Sequence, residues 1–440
     1  MSEAGRGGRF LRDVGRVFGG QLGMTVIGMG TGIITFRMLG PDGRGLLQIL
    51  VVVLPLQLAN LAKLGVPQAS VYFVRRMGVA PTRVVSTAAV LALGFGGLVS
   101  GGCYIWRDWF ITTFLPDAPP GTFFAVLTLV PFIVFQAYLM AIAQSMERFR
   151  EYNFQQIVPN VLSLVGMAVI LVWFGLGVRE AVWTHVGITV FTCLWIAVRV
   201  NRLAPIRPSL DPTLARGMLR FGGKSYAQTL AATSHGRLDQ LLIASMLDSA
   251  QVGLYAIAVN FINPLRRIPD ALGIVLFPRL ASSDESEAHA ATALVCRCTV
   301  ALLLVASLGV LAFGPLALRV LFGERSAGSV APMLILLPGV VMMGLYLLLT
   351  RNFTSRNRQQ TNIVAAVVAV FANVGLNLVL IPRLGISGAA LASVGSYGLA
   401  GLILLVMFRR DAGLRYRDVL LLTRADVRDL VARFRPPVGS

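Results

Sequence analysis

The chain has 440 residues, of which 56% carry apolar side chains and only 13% are charged. Soluble domains average about 25% charged residues, and a soluble core of this length would need a polar covering that the composition does not supply. The 39 basic and 20 acidic residues leave a net charge of +19. In a soluble chain that balance would point to nucleic acid; here it has to be read against a membrane.

A single crossing of hydrocarbon takes roughly 20 apolar residues. That ruler marks twelve spans in chain order: 17–39, 44–66, 83–106, 121–146, 154–176, 180–199, 224–247, 250–276, 291–313, 329–350, 360–381 and 385–408. The runs are continuous, not alternating, which excludes a membrane barrel and predicts an all-α integral membrane fold. The first span follows Arg6, Arg9, Arg12 and Arg16. It is too long for a signal-peptide core and shows no cleavage site, so it reads as retained. Cys103, Cys193, Cys296 and Cys298 lie in or beside apolar runs. Only the last two are closely spaced, without a His or Cys partner nearby, so neither a disulfide framework nor a metal site is expected.

With charges at span ends assigned to the nearer loop, 28 cations fall on the termini and even-numbered loops. Only seven fall on the odd-numbered loops: Arg37, Arg44, Arg107, Arg179, Arg319, Arg325 and Arg383. The positive-inside rule then places both termini in the cytoplasm. The net charge is mostly topology, and no nucleic-acid partner is expected. Four cations remain inside spans: Lys63, Arg237, Arg266 and Arg267. An intramembrane charge costs about 2.5–3.5 kcal/mol at a helix centre, so each needs a partner, a watery cavity or a ligand.

Sliding the chain against itself by 208 positions aligns Gly45-Leu46 with Gly253-Leu254, Leu64-Gly65-Val66 with Leu272-Gly273-Ile274, and Leu176-Gly177-Val178 with Leu384-Gly385-Ile386. The matched spans are six apart, an even number, so two six-helix lobes should insert in the same orientation around a midplane cavity. The expected plan is a basic N-terminus over 1–16, a first lobe over 17–199, a cytoplasmic linker over 200–223, a second lobe over 224–408 and a basic tail over 409–440. In the tail, Val419, Leu420, Leu422, Val427 and Leu430 interleave with charges as in an interfacial amphipathic segment.

Polar residues recur in three- and four-residue steps on the first helices of both lobes, which puts them on one face. Gln21, Thr25, Gly28, Thr31 and Thr35 are mirrored by Ser225, Thr229, Ala232, His235 and Asp239. The next helices carry Gln57, Asn60 and Lys63, and Asn260, Asn263, Arg267 and Asp270. The small and hydroxylated positions read as interhelical packing. Arg237 and Asp239 are two apart and cannot face each other. Asp239 can meet His235, and Arg237 must look elsewhere, to Asp270 in an ion pair or into a cavity. Arg266 and Arg267 either snorkel from a helix kinked near Pro264 and Pro269 or join Lys63 and Arg237 in a field for an anion. Arginine suits phosphate because its guanidinium binds oxygens bidentately.

Other motifs fail. Gly217 to Lys224-Ser225 resembles a phosphate loop but has Met218 where glycine is required, and it opens a membrane helix. The sequon Asn352-Phe353-Thr354 falls on the cytoplasmic side. No soluble stretch is long enough for a nucleotide-binding domain, so ATP is not the direct driver and no cofactor is expected.

Three stretches resemble the polysaccharide-export (Wzx-type) branch of the multidrug/oligosaccharidyl-lipid/polysaccharide (MOP) flippase superfamily. They are Leu39-Gly40-Pro41 with Gly43-Arg44-Gly45; Arg237-Leu238-Asp239-Gln240 into Gly253-Leu254-Tyr255-Ala256; and Leu376-Asn377-Leu378 into Ile381-Pro382-Arg383-Leu384-Gly385. The resemblance extends from about 15 to 408. It implies a non-enzymatic flippase of a bacterial inner membrane, moving an undecaprenyl-diphosphate-linked oligosaccharide between leaflets by alternating access through a cationic cavity. Arg237 and Asp239 sit at the family motif. Burial arguments add Arg266, Arg267, Lys63, Asn60 and Asn263 as substrate-binding candidates, and Asp239, Asp270 and His235 as carriers of a coupling proton or sodium ion. Two rivals share the superfamily. A multidrug/cation antiporter would favour buried carboxylates over cations, and a lipid II flippase usually carries two further helices. A multi-span glycosyltransferase would want acidic groups or long loops outside, where the first external loop offers only Asp42.

Overall fold

The computed structural model describes residues 3–207, 209–273, 285–356, 358–423 and 426; the side chains of 3–22, 149, 150, 152, 224, 225, 227–236 and 285 lie outside the description. All regular secondary structure among the described residues is helical. Helix α1 (Glu3–Gln48) bends at Gly40, whose φ of 72° is a left-handed value that glycine adopts without a Cβ penalty, and Pro41 follows the bend. It runs through a π turn at Ile49–Val53 into α2 (Leu54–Lys63). Leu64 and Gly65, both left-handed, end α2 and turn the chain into α3 (Val66–Arg75). Next come α4 (Pro81–Ile105), the short α5 (Arg107–Phe114), α6 (Phe123–Ser145), α7 (Phe149–Met167) and α8 (Val178–Leu203).

The second half begins at a strong start signal. Asp211 caps α9 (Pro212–Met246), its side chain accepting from the Leu214 N–H, and Pro212 takes the first turn, where no N–H is needed. Asp248 caps α10 (Ser249–Ile262) in the same way through the Gln251 N–H at 2.8 Å. The chain continues through helical residues 267–273, then α11 (Glu285–Phe322), α12 (Val330–Ser355), α13 (Gln359–Ala412) and the five-residue α14 (Tyr416–Leu420).

Eight helical stretches among the described residues are long and apolar enough to cross a membrane, so this is a multi-pass membrane protein. Two of them, Gly23–Lys63 with 41 residues and Gln359–Ala412 with 54, are about twice the roughly 20 residues one crossing takes. Each bends at a left-handed glycine, Gly40 or Gly385, and is long enough for two crossings. Length and apolarity thus mark ten of the twelve expected spans. The other two fall on α9 and on α10 with its continuation, which carry Arg237, Asp239, Asn260 and Arg266.

Helices α4, α6 and α8 pack with α2 and α3 in one bundle; α9, α12 and α13 pack with α10 and α11 in the other. The bundles meet where α1 lies on α10 and where α2 and α3 lie on α9. At the Gly40 end the backbones touch. A Cβ on Gly45 would lie 1.7 Å from the Ser249 carbonyl oxygen, and one on Gly253 would lie 2.2 Å from that of Pro41. Residues 45 and 253 are 208 apart, as are 41 and 249, so the repeat meets itself across the seam. At the other end Gly65 abuts Gly222, and Tyr72 stacks on Phe221 with centroids 4.1 Å apart. Beside them the Tyr226 hydroxyl donates to the Asn60 and Leu61 carbonyls at 3.1 and 3.0 Å.

Two expectations change. Arg44, counted with the first external loop, is 9% exposed inside the bundle. The reason is that no loop exists there: the helix resumes directly after the bend at Gly40. The tail is not a free interfacial segment up to residue 423. Val419 is fully buried, Arg297 donates to the Asp418 carbonyl and pairs with Asp426 at 2.8 Å, and α14 packs on α11. Val427 and Leu430 lie outside the described residues.

Two outcomes follow from this packing. Gly45→Val should prevent the seam from closing, so that a cysteine at the buried Ser249 in purified protein reacts with a maleimide several-fold faster than in the Gly45 background. Asp211 is held below the usual aspartate range by the Leu214 N–H and by Arg83. A lowered carboxylate stabilises the helix start at neutral pH and loses that contribution only as pH falls through its lowered value. Amide exchange at 213–216 should therefore stay slow until the solution is more acidic than the ordinary aspartate range.

Candidate functional site

Between the bundles lies a cavity of ≈ 490 Å³ with polar and apolar walls, lined from α2, α9 and α10 and backed by α12 and α13. Three cations reach it: Lys63 from the end of α2, Arg237 from α9 and Arg266 from beyond α10. Arg237 is close enough to both Lys63 and Arg266 for the like charges to repel. Amides fill the gaps. Lys63 Nζ donates to Asn60 Oδ1 at 3.0 Å, and Asn60 Nδ2 reaches Gln57 Oε1 at 3.4 Å. Across the seam Gln48 donates to Gln240 at 3.0 Å, a buried hydrogen bond between the two bundles.

Pro264 shapes the α10 side. It lacks the N–H that an α-helix would use, and the chain tightens to a 3₁₀ turn over Asn263–Arg266. Asn263 and Arg266 line the cavity there, whereas Arg267 does not.

Among the described residues one carboxylate lines the cavity, and it is 2% exposed. Asp239 Oδ1 accepts from Asn377 Nδ2 at 2.9 Å, and Oδ2 accepts from the Tyr255 hydroxyl at 3.0 Å and from the Ser393 hydroxyl. These donors are neutral and come from α10 and both halves of α13. Asp239 is thus solvated by its own bundle, and none of the three cations forms a salt bridge with a described acidic residue. The described lining residues thus carry more cations than carboxylates.

Of the candidates, Lys63, Asn60, Arg237, Arg266, Asn263 and Asp239 come together here. Asp270 goes elsewhere: it pairs with Arg351 at 3.0 Å, and Arg351 also donates to the Asp270 carbonyl at 3.1 Å. That corrects the expectation of an Arg237–Asp270 pair and leaves Asp270 as an internal tie within the second bundle. The His235 side chain lies outside the described residues. Asn352 of the sequon is buried and donates to Thr292 at 2.9 Å, closed to modification.

Sequence periodicity does not reveal Gln48, Tyr255, Asn377 and Ser393, because their contacts span long separations. Tyr255 and Asn377 do stand in the stretches that carry the family resemblance, the one signal that could have found them. The Asp270–Arg351 assignment has a direct check. Arg351→Asp should lower stability by about 1–2 kcal/mol, between exposed and buried pairs, and the swap Asp270→Arg/Arg351→Asp should recover part of the loss in thermal unfolding.

Known proteins resemble this chain in sequence and in fold. The family described as polysaccharide biosynthesis protein matches residues 34–331. The probable low-salt glycan biosynthesis flippase of Haloferax volcanii is 23% identical over 240 residues, covering 54% of this chain and 50% of that protein. The chain thus spans about half the length of the curated relative it matches. Among solved structures, the lipid II flippase MurJ in an inward closed conformation superposes with a TM-score of 0.74 at 11% identity, covering 96% of this chain and 93% of that one. An inward-facing multidrug resistance MATE transporter gives 0.72 at 15% identity, over 89% and 94% of the two chains. The Pyrococcus furiosus MOP superfamily transporter described by the reverse polarity of its binding pocket gives 0.56 at 15% identity, over 90% and 93%. The fold is that of the MOP superfamily, and the chain belongs to the polysaccharide biosynthesis protein family.

Proposed function

We propose that this member of the polysaccharide biosynthesis family is a flippase that carries an undecaprenyl-diphosphate-linked oligosaccharide from the cytoplasmic to the outer leaflet of a bacterial inner membrane. A diphosphate and many hydroxyls cannot cross hydrocarbon unaided. A polar cavity between two bundles offers them a path while the polyprenyl chain stays in lipid. The observation that carries the reading is the charge of that cavity. Lys63, Arg237 and Arg266 outnumber the single described carboxylate and form no salt bridge with it, while Asp239 is held by neutral donors. Guanidinium forks would take the diphosphate oxygens, and Asn60, Asn263 and Asn260 would meet sugar hydroxyls. A cationic drug would be repelled from the same space.

Asp239 is the proposed carrier of a coupling proton or sodium ion. Its neighbour Gln240 makes the interbundle bond to Gln48, so a change of charge at Asp239 lies one residue from a contact the bundles must break to rock apart. The basic-residue asymmetry supports cytoplasmic termini and a Gly40 end that faces outside.

Glycan export by cells carrying Arg237→Ala or Arg266→Ala should fall at least tenfold with the protein still inserted and abundant. Arg267→Ala, which alters a residue outside the lining, should stay within about twofold of the wild type. Unchanged export in both cavity variants, or uptake of a fluorescent cationic drug by proteoliposomes, would overturn the reading.

A further inference from the structure

Among the described residues, Arg44 is the one buried cation that the central cavity does not use. It is 9% exposed, its Nε has no acceptor, and no described acidic residue pairs with it. The titratable group in electrostatic range is His185 on α8, a base that supplies no countercharge. With the seam closed, the backbone has little room to shift and let the side chain snorkel out. Gly43 sits so close to Val178 that a Cβ there would lie 3.0 Å from its methyl group, and Gly45 is pressed on the Ser249 carbonyl. A guanidinium fixed in such a place is unfavourable unless an anion joins it in some state of the cycle.

The crevice around it shows where that anion would come from. Its walls are Gly28, Met29 and Gly32 of α1 facing Ile257 and Phe261 of α10. Gly28 is exposed and Gly32 is buried, and a Cβ on either glycine would meet nothing within 4 Å, so there is unfilled space beside α1 that reaches the surface at Gly28. Asn260 lines both this crevice and the central cavity. The two spaces are neighbours, and an anion leaving the central cations toward the Gly40 end meets Arg44 next. With the seam closed the crevice measures ≈ 10 Å³, about enough for one water, so a phosphate fits only once α1 and α10 part.

We propose that Arg44 is a second, release-side anion site. It takes the phosphate group of an isoprenoid lipid as the bundles open at the Gly40 end, with the apolar chain lying along Gly28 and Gly32. This deepens the flippase reading and rests on it for the class of lipid. An arginine that is unpaired when the seam is closed and paired when it is open favours release on that side.

Native mass spectrometry of the purified full-length protein with farnesyl diphosphate, in the presence or absence of phosphatidylglycerol, tests this. Wild type should retain two farnesyl diphosphates. Arg44→Gln should lose the weaker one at least tenfold, Arg44→Lys should keep part of it, and Arg237→Gln should lose the other. Because Arg44→Gln removes a charge with no partner, its melting temperature without lipid should equal or exceed that of the wild type. A clear drop would show a structural role and overturn the proposal, as would equal retention by Arg44→Gln and wild type. Farnesyl diphosphate held against phosphatidylglycerol supports the carrier lipid as occupant, whereas phosphatidylglycerol held in its place at Arg44 overturns that assignment. Normal binding at Arg44 with no Arg237-dependent binding would instead remove the central-cavity reading and leave this site standing.

Discussion

A guanidinium inside a bilayer needs a carboxylate, water or an anion within reach, and most of this architecture answers that constraint. The second bundle meets it internally once, at Asp270 and Arg351. At the cavity it does the opposite. Asp239 is withdrawn into hydrogen bonds from Tyr255, Asn377 and Ser393, and the neighbouring cations are left to the hollow between the bundles. Had Asp239 turned to Arg237, that guanidinium would be tied up and only Lys63 and Arg266 would be left to a diphosphate. The polar wall therefore sorts its own charges, and the sorting gives the space its chemistry.

The same logic ties the proposed ion site to geometry. Asp239 and Gln240 are adjacent on α9, yet one faces its own bundle and the other reaches Gln48 across the seam. Neighbouring residues on a helix point about 100° apart, so a single turn serves both tasks. A cation arriving at the carboxylate would alter the hydrogen bonds of α10 and α13 and strain a peptide that also anchors an interbundle bond.

Much of the fold was legible because membrane helices announce themselves through length and apolarity, and because the repeat aligns its glycines. Gly45 with Gly253 and Gly177 with Gly385 occupy related places: the first pair meets at the seam, and the second pair stands at the start of the later helix in each couple. The cavity cations were legible for a cruder reason, since charge inside a span is rare. Arg44 was not, because counting cations by loop assumes that a loop exists between spans; a bend at one glycine removes it. Asp270 was misassigned because spacing along one helix says nothing of a partner 81 residues away on α12. The donors to Asp239 lie up to 154 residues from it, beyond any periodic signal.

The glycine contact at the seam has one more property. Positions 45 and 253 belong to one joint: a Cβ on the first would strike the Ser249 carbonyl and one on the second the Pro41 carbonyl, and each would lie 3.0 Å from the other glycine's nitrogen. Their substitutions must therefore be epistatic: once a methyl group at either position has forced the helices apart, the second adds little. Drift at one member relaxes the constraint on its twin, and a chain that keeps both small has kept a single joint, inherited twice.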